Sequence, residues 1–291
     1  MKQISVNASA KINLTLDITG VKVNGYHLLS MIMQSVDLHD TVTLSSNKSG
    51  SITVISNNNM LPIGAENIAF TAAVDFFNAL HIECEGMEIG IDKKIPIAAG
   101  LGGGSSDAAA VLLGLNKLYD EHFTKEDLAS LALKIGTDVP FFLQGGTALA
   151  EGVGEVLTPL QNLPECYFVL VKPCKKLSTG HMYRLVDNQT TLIHPSNKLV
   201  VKAIYDGSLL NLSGLLCNLF DEVWESTEID SAKQALTKEG AIGVSLSGSG
   251  PTVFGMFIKS SDAKLAAKRL KNQFDEVFVC KSVKQGVEFL D

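Results

Sequence analysis

Between an alternating apolar stretch, Met87 to Ile91, and an alanine-rich run, Ala108 to Leu118, the chain carries Gly100-Leu-Gly-Gly-Gly-Ser-Ser106. Four glycines and two serines in seven positions strip the backbone of bulk where a strand gives way to a helix. Glycine admits φ > 0 and lets main-chain N–H groups come close to a ligand. The helix start adds unpaired donors and the positive end of a dipole. Strand, glycine turn and helix in that order constrain this part of the fold to a loop shaped for phosphate. A flexible linker is the bland alternative, and the ordered patterns on both sides argue against it.

The loop departs from the common nucleotide motifs. A Walker loop needs a lysine after its last glycine, and Gly104 is followed by Ser105 and Ser106. The G-x-G-x-x-G spacing fails as well, because its sixth position is Ser105 counted from Gly100 and Asp107 counted from Gly102. No His-Arg-Asp or Asp-Phe-Gly triplet occurs. Cations and acid–base groups must come from elsewhere in the chain.

At 291 residues, 46% hydrophobic and 19% charged, the chain can bury a sizeable core in two ordinary domains or one large one. Its net charge of −7, with no more than two Lys/Arg adjacent, speaks against nucleic acid as a partner. Cys84, Cys166, Cys174, Cys217 and Cys280 are scattered without a C-x-x-C pair, as expected for reduced thiols. No apolar run approaches membrane length, and Lys2 is followed by alternating polar residues in place of a signal sequence. The expectation is a cytoplasmic protein without a membrane partner; oligomeric state is not readable.

Irregularly interleaved strands and helices predict an α+β fold. From Ile4 to Ile18 the chain alternates, placing Ile12, Leu14, Leu16 and Ile18 on one face of a half-buried strand and Lys11, Asn13, Thr15 and Asp17 on the other. Helices are expected over 65–80, 105–118 and, opened by a Thr124/Asp127 capping box, 124–134. Later helices are expected over 179–187, 198–205, 214–227, 230–238 and 261–274. The polar, proline-containing stretch Gln161–Pro164 predicts a boundary between domains 1–160 and 161–291.

Asp138, in Gly136-Thr-Asp-Val-Pro-Phe-Phe142, is a candidate general base: Pro140 should hold Val139 extended, and the apolar neighbours should partly desolvate the carboxylate. An ordinary turn or capping aspartate is the alternative. Lys11 and Asn13 matter only if their strand face lines a cleft; otherwise they are solvated. Gly25-Tyr26-His27 reads equally as a surface turn, and Ser247-Gly-Ser-Gly-Pro-Thr252 as a hairpin connection or a loop packed on a ligand.

Together, Pro96–Ser106, Ala10-Lys-Ile-Asn-Leu14 and Ser247-Gly-Ser-Gly-Pro-Thr-Val-Phe254 resemble the three signature regions of the galactokinase–homoserine kinase–mevalonate kinase–phosphomevalonate kinase superfamily. The resemblance runs from end to end. It implies a ribosomal-protein-S5-domain-2-like N-terminal domain, a ferredoxin-like C-terminal domain, ATP as co-substrate and Mg2+ as its counter-ion. The nucleotide would lie on Pro96, Ile97, Ala98, Ala99, Gly100, Leu101, Gly102, Gly103, Gly104, Ser105 and Ser106. Asp138 would be the base and Lys11 its electrostatic partner. Gly25-Tyr26-His27 and Gly136-Thr-Asp-Val-Pro-Phe141 further resemble members acting on cytidine diphosphate methylerythritol. In those, Tyr26 and His27 with Thr179 and Tyr183 would hold the cytosine, and Asn13 would orient the hydroxyl. Tyr183 stands where the family usually has phenylalanine. No protein ligand for the metal is identified.

Overall fold

The computed structural model describes residues 2–290. Two long strands, β1 (Gln3–Val21) and β2 (His27–Ser46), pair antiparallel along nearly their whole length. β3 (Ile52–Ser56), α1 (Ile68–Leu80) and β4 (Met87–Asp92) follow, with β4 antiparallel to β2 and β3 parallel to β4. Then come α2 (Gly103–Leu118), α3 (Lys125–Ile135) and α4 (Val139–Gln144). β5 (Thr147–Gly152) adds to β2, and β6 (Val156–Pro159) adds to β5. Helices α1 to α4 cover one face of this sheet through Ala72, Phe76, Ala109, Leu112, Leu131 and Phe141. The capping box opening α3 is present, Thr124 and Asp127 each bonding the other's backbone N–H.

The second sheet begins with β7 (Tyr167–Lys172). α5 (Thr179–Asp187), α6 (Asn197–Tyr205), α7 (Leu209–Ser213), β8 (Cys217–Asn218), α8 (Leu219–Val223) and α9 (Thr227–Lys238) lead from it to β9 (Gly243–Leu246). β10 (Val253–Phe257), α10 (Ser260–Leu270), β11 (Glu276–Lys281) and β12 (Val287–Leu290) complete the chain. The antiparallel order β11-β7-β10-β9, with α9 and α10 as crossovers, is the ferredoxin-like arrangement. β8 and β12 leave this sheet and pair with β1, so the segment after residue 160 supplies strands to both sheets.

The helix expected over 214–227 is interrupted. Cys217 and Asn218 pair with β1, and the Asn218 side chain caps α8 by accepting from Phe220 N–H. β1 corrects the sequence reading more deeply. Register shifts between Ser9 and Ala10 and between Asn13 and Thr15 flip its faces. Ile12 and Leu14 therefore pack between the two sheets with Phe168 and Phe254, while Leu16 and Ile18 join the core beneath the helices. With both faces covered, Lys11, Asn13, Thr15 and Asp17 are all buried, and the strand is not half-solvated.

Candidate active site

A cleft of about 560 Å³ opens between the two sheets. Its walls include every residue from Pro96 to Ser105, together with Lys11, Asp138, Lys176, Thr179 and Tyr183. Ser106 is fully buried behind them. Within the loop Ala98, Gly100 and Gly102 adopt positive φ of 53°, 77° and 71°. Helix α2 starts at Gly103, two residues earlier than expected, because left-handed Gly102 ends the loop there. Its first i→i−4 bond runs from Ser106 N–H to Gly102 C=O (2.9 Å). The amides of Gly103, Gly104 and Ser105 precede that bond, and Gly102 has no side chain to cap them. They are donors for an anion.

The second glycine cluster is a packing partner of the first. A Cβ on Gly100 would stand 2.3 Å from the Ser247 carbonyl oxygen, and one on Gly248 would stand 3.0 Å from the Gly100 carbonyl oxygen. Ser247 Oγ donates to that Gly100 carbonyl (3.0 Å), and Thr252 N–H reaches Ala99 C=O (3.3 Å). Two backbones from two sheets touch here, and only glycine allows it.

Lys11 lies against both loops, its Cγ 3.1 Å from a Cβ on Gly102 and its Nζ 3.3 Å from one on Gly248. Its ammonium donates to Asn13 Oδ1 (2.5 Å), whose amide nitrogen meets Met31 Sδ (3.3 Å). Burial pushes the Lys11 pKa down, Asp138 opposes that shift and Lys176 adds to it. Burial likewise lowers Lys176, again opposed by Asp138. Asp138 is half-buried at the start of α4, with φ −84° and ψ −16°. Val139 is helical and not extended as expected: Pro140 occupies the first turn of α4, where its missing N–H costs nothing. Asp138 is the one carboxylate among the described residues lining the cleft, which also presents Lys11, Lys93 and Lys176.

Sequence reading missed the charge beneath the loop. Lys93 Nζ donates to Asp40 Oδ2 (2.5 Å) and Asp107 Oδ2 (2.7 Å), with the three side chains 3%, 0% and 2% exposed. Asp40 Oδ1 also accepts from the N–H groups of Lys94 (2.6 Å) and Ile95 (2.8 Å). Asp40 interrupts an apolar β2 pattern, which was the available signal.

At the far end of the cleft the expected base-binding residues are only partly assembled. Tyr183 and Thr179 line the cleft, with Thr179 Oγ1 3.1 Å from Ser249 Oγ. Tyr183 meets Phe220 edge-on and stacks on the His27 ring at 4.2 Å. His27 Nε2 lies 2.8 Å from Asp187 Oδ1. Tyr26, 62% exposed, is not brought against Tyr183.

Comparison with known proteins gives consistent results. The chain matches the family models described as GHMP kinases N terminal domain, over residues 67–146, and GHMP kinases C terminal, over residues 207–276. It is 40% identical to the 4-diphosphocytidyl-2-C-methyl-D-erythritol kinase of Clostridium tetani (strain Massachusetts / E88), covering 96% of this chain and 100% of that protein. The like-named protein of Lachnoclostridium phytofermentans (strain ATCC 700394 / DSM 18823 / ISDg) is 43% identical, over 92% of this chain and 91% of its own. A crystal structure of 4-(cytidine 5'-diphospho)-2C-methyl-D-erythritol kinase superposes with TM-score 0.79 at 32% identity, covering 96% of this chain and 98% of the other. L. major mevalonate kinase shares the fold, with TM-score 0.76 at 19% identity over 96% and 95% of the two chains.

Proposed function

The chain belongs to the GHMP kinases and, within them, to the 4-diphosphocytidyl-2-C-methyl-D-erythritol kinases, and on that footing we propose that it transfers the γ-phosphate of ATP to the C2 hydroxyl of 4-diphosphocytidyl-2-C-methyl-D-erythritol, in non-mevalonate isoprenoid precursor synthesis. One observation carries the reading. Among the described residues one carboxylate, Asp138, lines a cleft shared with three lysines and a glycine loop that opens α2 with no side chain capping its first amides.

Phosphoryl transfer asks the protein mainly for positioning and charge neutralisation. The amides of Gly103 to Ser105 and the dipole of α2 hold the polyphosphate. Asp138 accepts the proton of the attacking hydroxyl. Lys11, dry and held in place by Asn13, sets its charge beside the oxygens that become negative during transfer. With His27 moved off its ring, Tyr183 would offer a π face to the cytosine, Thr179 beside it and Tyr26 and His27 closing from the other side. Among the described residues no three His, Cys, Asp or Glu side chains gather as a metal-binding group. Mg2+ commonly takes one or two protein oxygens and fills the rest of its shell with phosphates and waters, and in this reading the ion arrives with the nucleotide. No described helix is long and apolar enough to cross a membrane. All five cysteines are unpaired, which fits the cytoplasm as the site of action.

A coupled assay of ADP release with the cytidine diphosphate methylerythritol substrate tests the reading, and turnover is expected. A cytidine nucleotide should also protect against thermal unfolding more than homoserine or mevalonate does. Equal protection by all three would remove the substrate assignment.

A further inference from the structure

The loop that takes the phosphates is tied at both ends to one buried trio. Lys94 and Ile95 lead into Pro96, and their amides are held by Asp40; Asp107 lies early in α2, just past the loop, and is held by Lys93. Lys93 joins the two carboxylates and borders the cleft, its Nζ 3.0 Å from where a Cβ on Gly103 would stand. We propose that Asp40, Lys93 and Asp107 form a positioning clamp across the base of the phosphate loop, and that this clamp takes up a proton from solvent when a nucleotide polyphosphate settles on the loop. The inference rests on the nucleotide reading of the cleft and concerns groups that reading leaves unused.

Two carboxylates and one ammonium cannot balance unless one carboxyl keeps its proton. Asp107 is the one that does. Burial, with Asp40 adding to it and Lys93 opposing, pushes its pKa up to about 8. Lys93 is held above its ordinary value, as Asp107 and Asp40 together outweigh its burial. Asp107 Oδ1 is buried without a hydrogen-bond partner among the described residues, an arrangement a neutral carboxyl tolerates better than a carboxylate. The charged groups facing Asp107 are Lys93, following β4, and Asp40, on β2. The helices packed on α2 bring apolar residues: Phe76 and Phe77 from α1, Leu131 from α3, Phe141 and Phe142 from α4. From β1 the cation is Lys11, which is bonded to Asn13.

The sign follows. Below pH 8 Asp107 keeps its proton and the trio is neutral overall; above it the trio carries one negative charge. A polyphosphate beside Lys93 adds negative charge and so strengthens the hold of Asp107 on its proton. Binding at pH 8 should draw in about 0.3–0.5 proton, because Asp107 is half-protonated there beforehand. Affinity should fall as pH rises through 8, by roughly three- to ten-fold between pH 7 and 9.5.

The test is titration calorimetry of the full chain with ADP at pH 8, in two buffers of different ionisation enthalpy, which counts protons directly. Wild type should take up protons, and Asp107→Asn should lose most of that uptake and show a flatter dependence of affinity on pH. Lys11 and Lys176, both lowered by burial in the same cleft, are other groups able to bind a proton here, so Lys11→Met and Lys176→Met are measured alongside and should keep the uptake. Equal uptake in wild type and Asp107→Asn would overturn the proposal. So would loss of uptake in Lys11→Met or in Lys176→Met, a result that stands even if Asp107→Asn fails to fold. Binding of ADP with no proton exchange would sink the clamp's proton alone. Failure of wild type to bind ADP would sink the nucleotide reading and this inference with it.

Discussion

The two ends of the cleft are built by different means. At the phosphate end the donors are main-chain amides, set by glycine geometry and tied at both flanks to a buried ionic trio. At the far end the groups are side chains from two distant segments, and they are engaged with one another: His27 stacks on Tyr183 and meets Asp187. A centroid separation of 4.2 Å leaves no slot for a base between those two rings. In the proposed reading the phosphate end is braced before any ligand arrives, whereas the base end would have to rearrange side chains to stack a nucleobase. Damage to the first should fall on turnover and nucleotide binding, and damage to the second on the affinity for the acceptor.

The largest expected effect tests that division at its centre. Asp138→Asn keeps the shape of the α4 start and removes the base, so kcat should fall by about 10²–10⁴ while ADP affinity stays near wild type. Turnover within a few-fold of wild type would show that Asp138 is not the base. Gly100→Ala comes next. Its Cβ would stand 2.3 Å from the Ser247 carbonyl oxygen at a φ of +77°, forcing the two glycine loops apart. Nucleotide affinity should drop on the order of 100-fold, with a lowered Tm, because strained backbone and displaced donors act together. An ADP affinity unchanged in a folded variant would show that the contact between the loops does not shape the site.

Tyr183→Ala moves to the other end. Removing one stacking face should raise KM for the cytidine substrate about ten-fold, with KM for ATP and kcat little changed. A matching loss in ATP affinity would erase the distinction between the two ends.

The same contrast decides what could be read from the sequence. Gly100–Ser106 spells its own backbone, because composition and conformation coincide at glycine, and the strand before it and the helix after it were expected. The start of α2 moved only because Gly102 adopts a left-handed cap. The capping box at Thr124 is likewise a local code. By contrast, Lys93, Asp40 and Asp107 are brought together across 53 and 14 residues of chain, and each alone resembles a solvated charge. Lys11 looked solvated for a related reason. Its burial depends on the two glycine loops, at Gly102 and Gly248, closing over its side chain, which no pattern within β1 records. Local periodicity also missed the register shifts at Ser9/Ala10 and Asn13/Thr15, since a slip in pairing is visible only against the partner strand.

The smallest expected effect gives the finest probe of the base end. Asp187 is a carboxylate and can only accept, so its contact with His27 places a proton on Nε2. In a neutral imidazole that leaves the second nitrogen to accept. Asp187 is 46% exposed, so the pair itself is worth little in stability. Asp187→Asn should therefore leave Tm and KM for ATP unchanged and raise KM for the cytidine substrate only about two- to five-fold. Asparagine supplies N–H as well as C=O and no longer dictates which ring nitrogen carries the proton. If KM for the cytidine substrate stayed at its wild-type value, the His27–Asp187 contact would be a surface pair with no part in reading the base. The base end would then rest on Tyr183 and Thr179 alone.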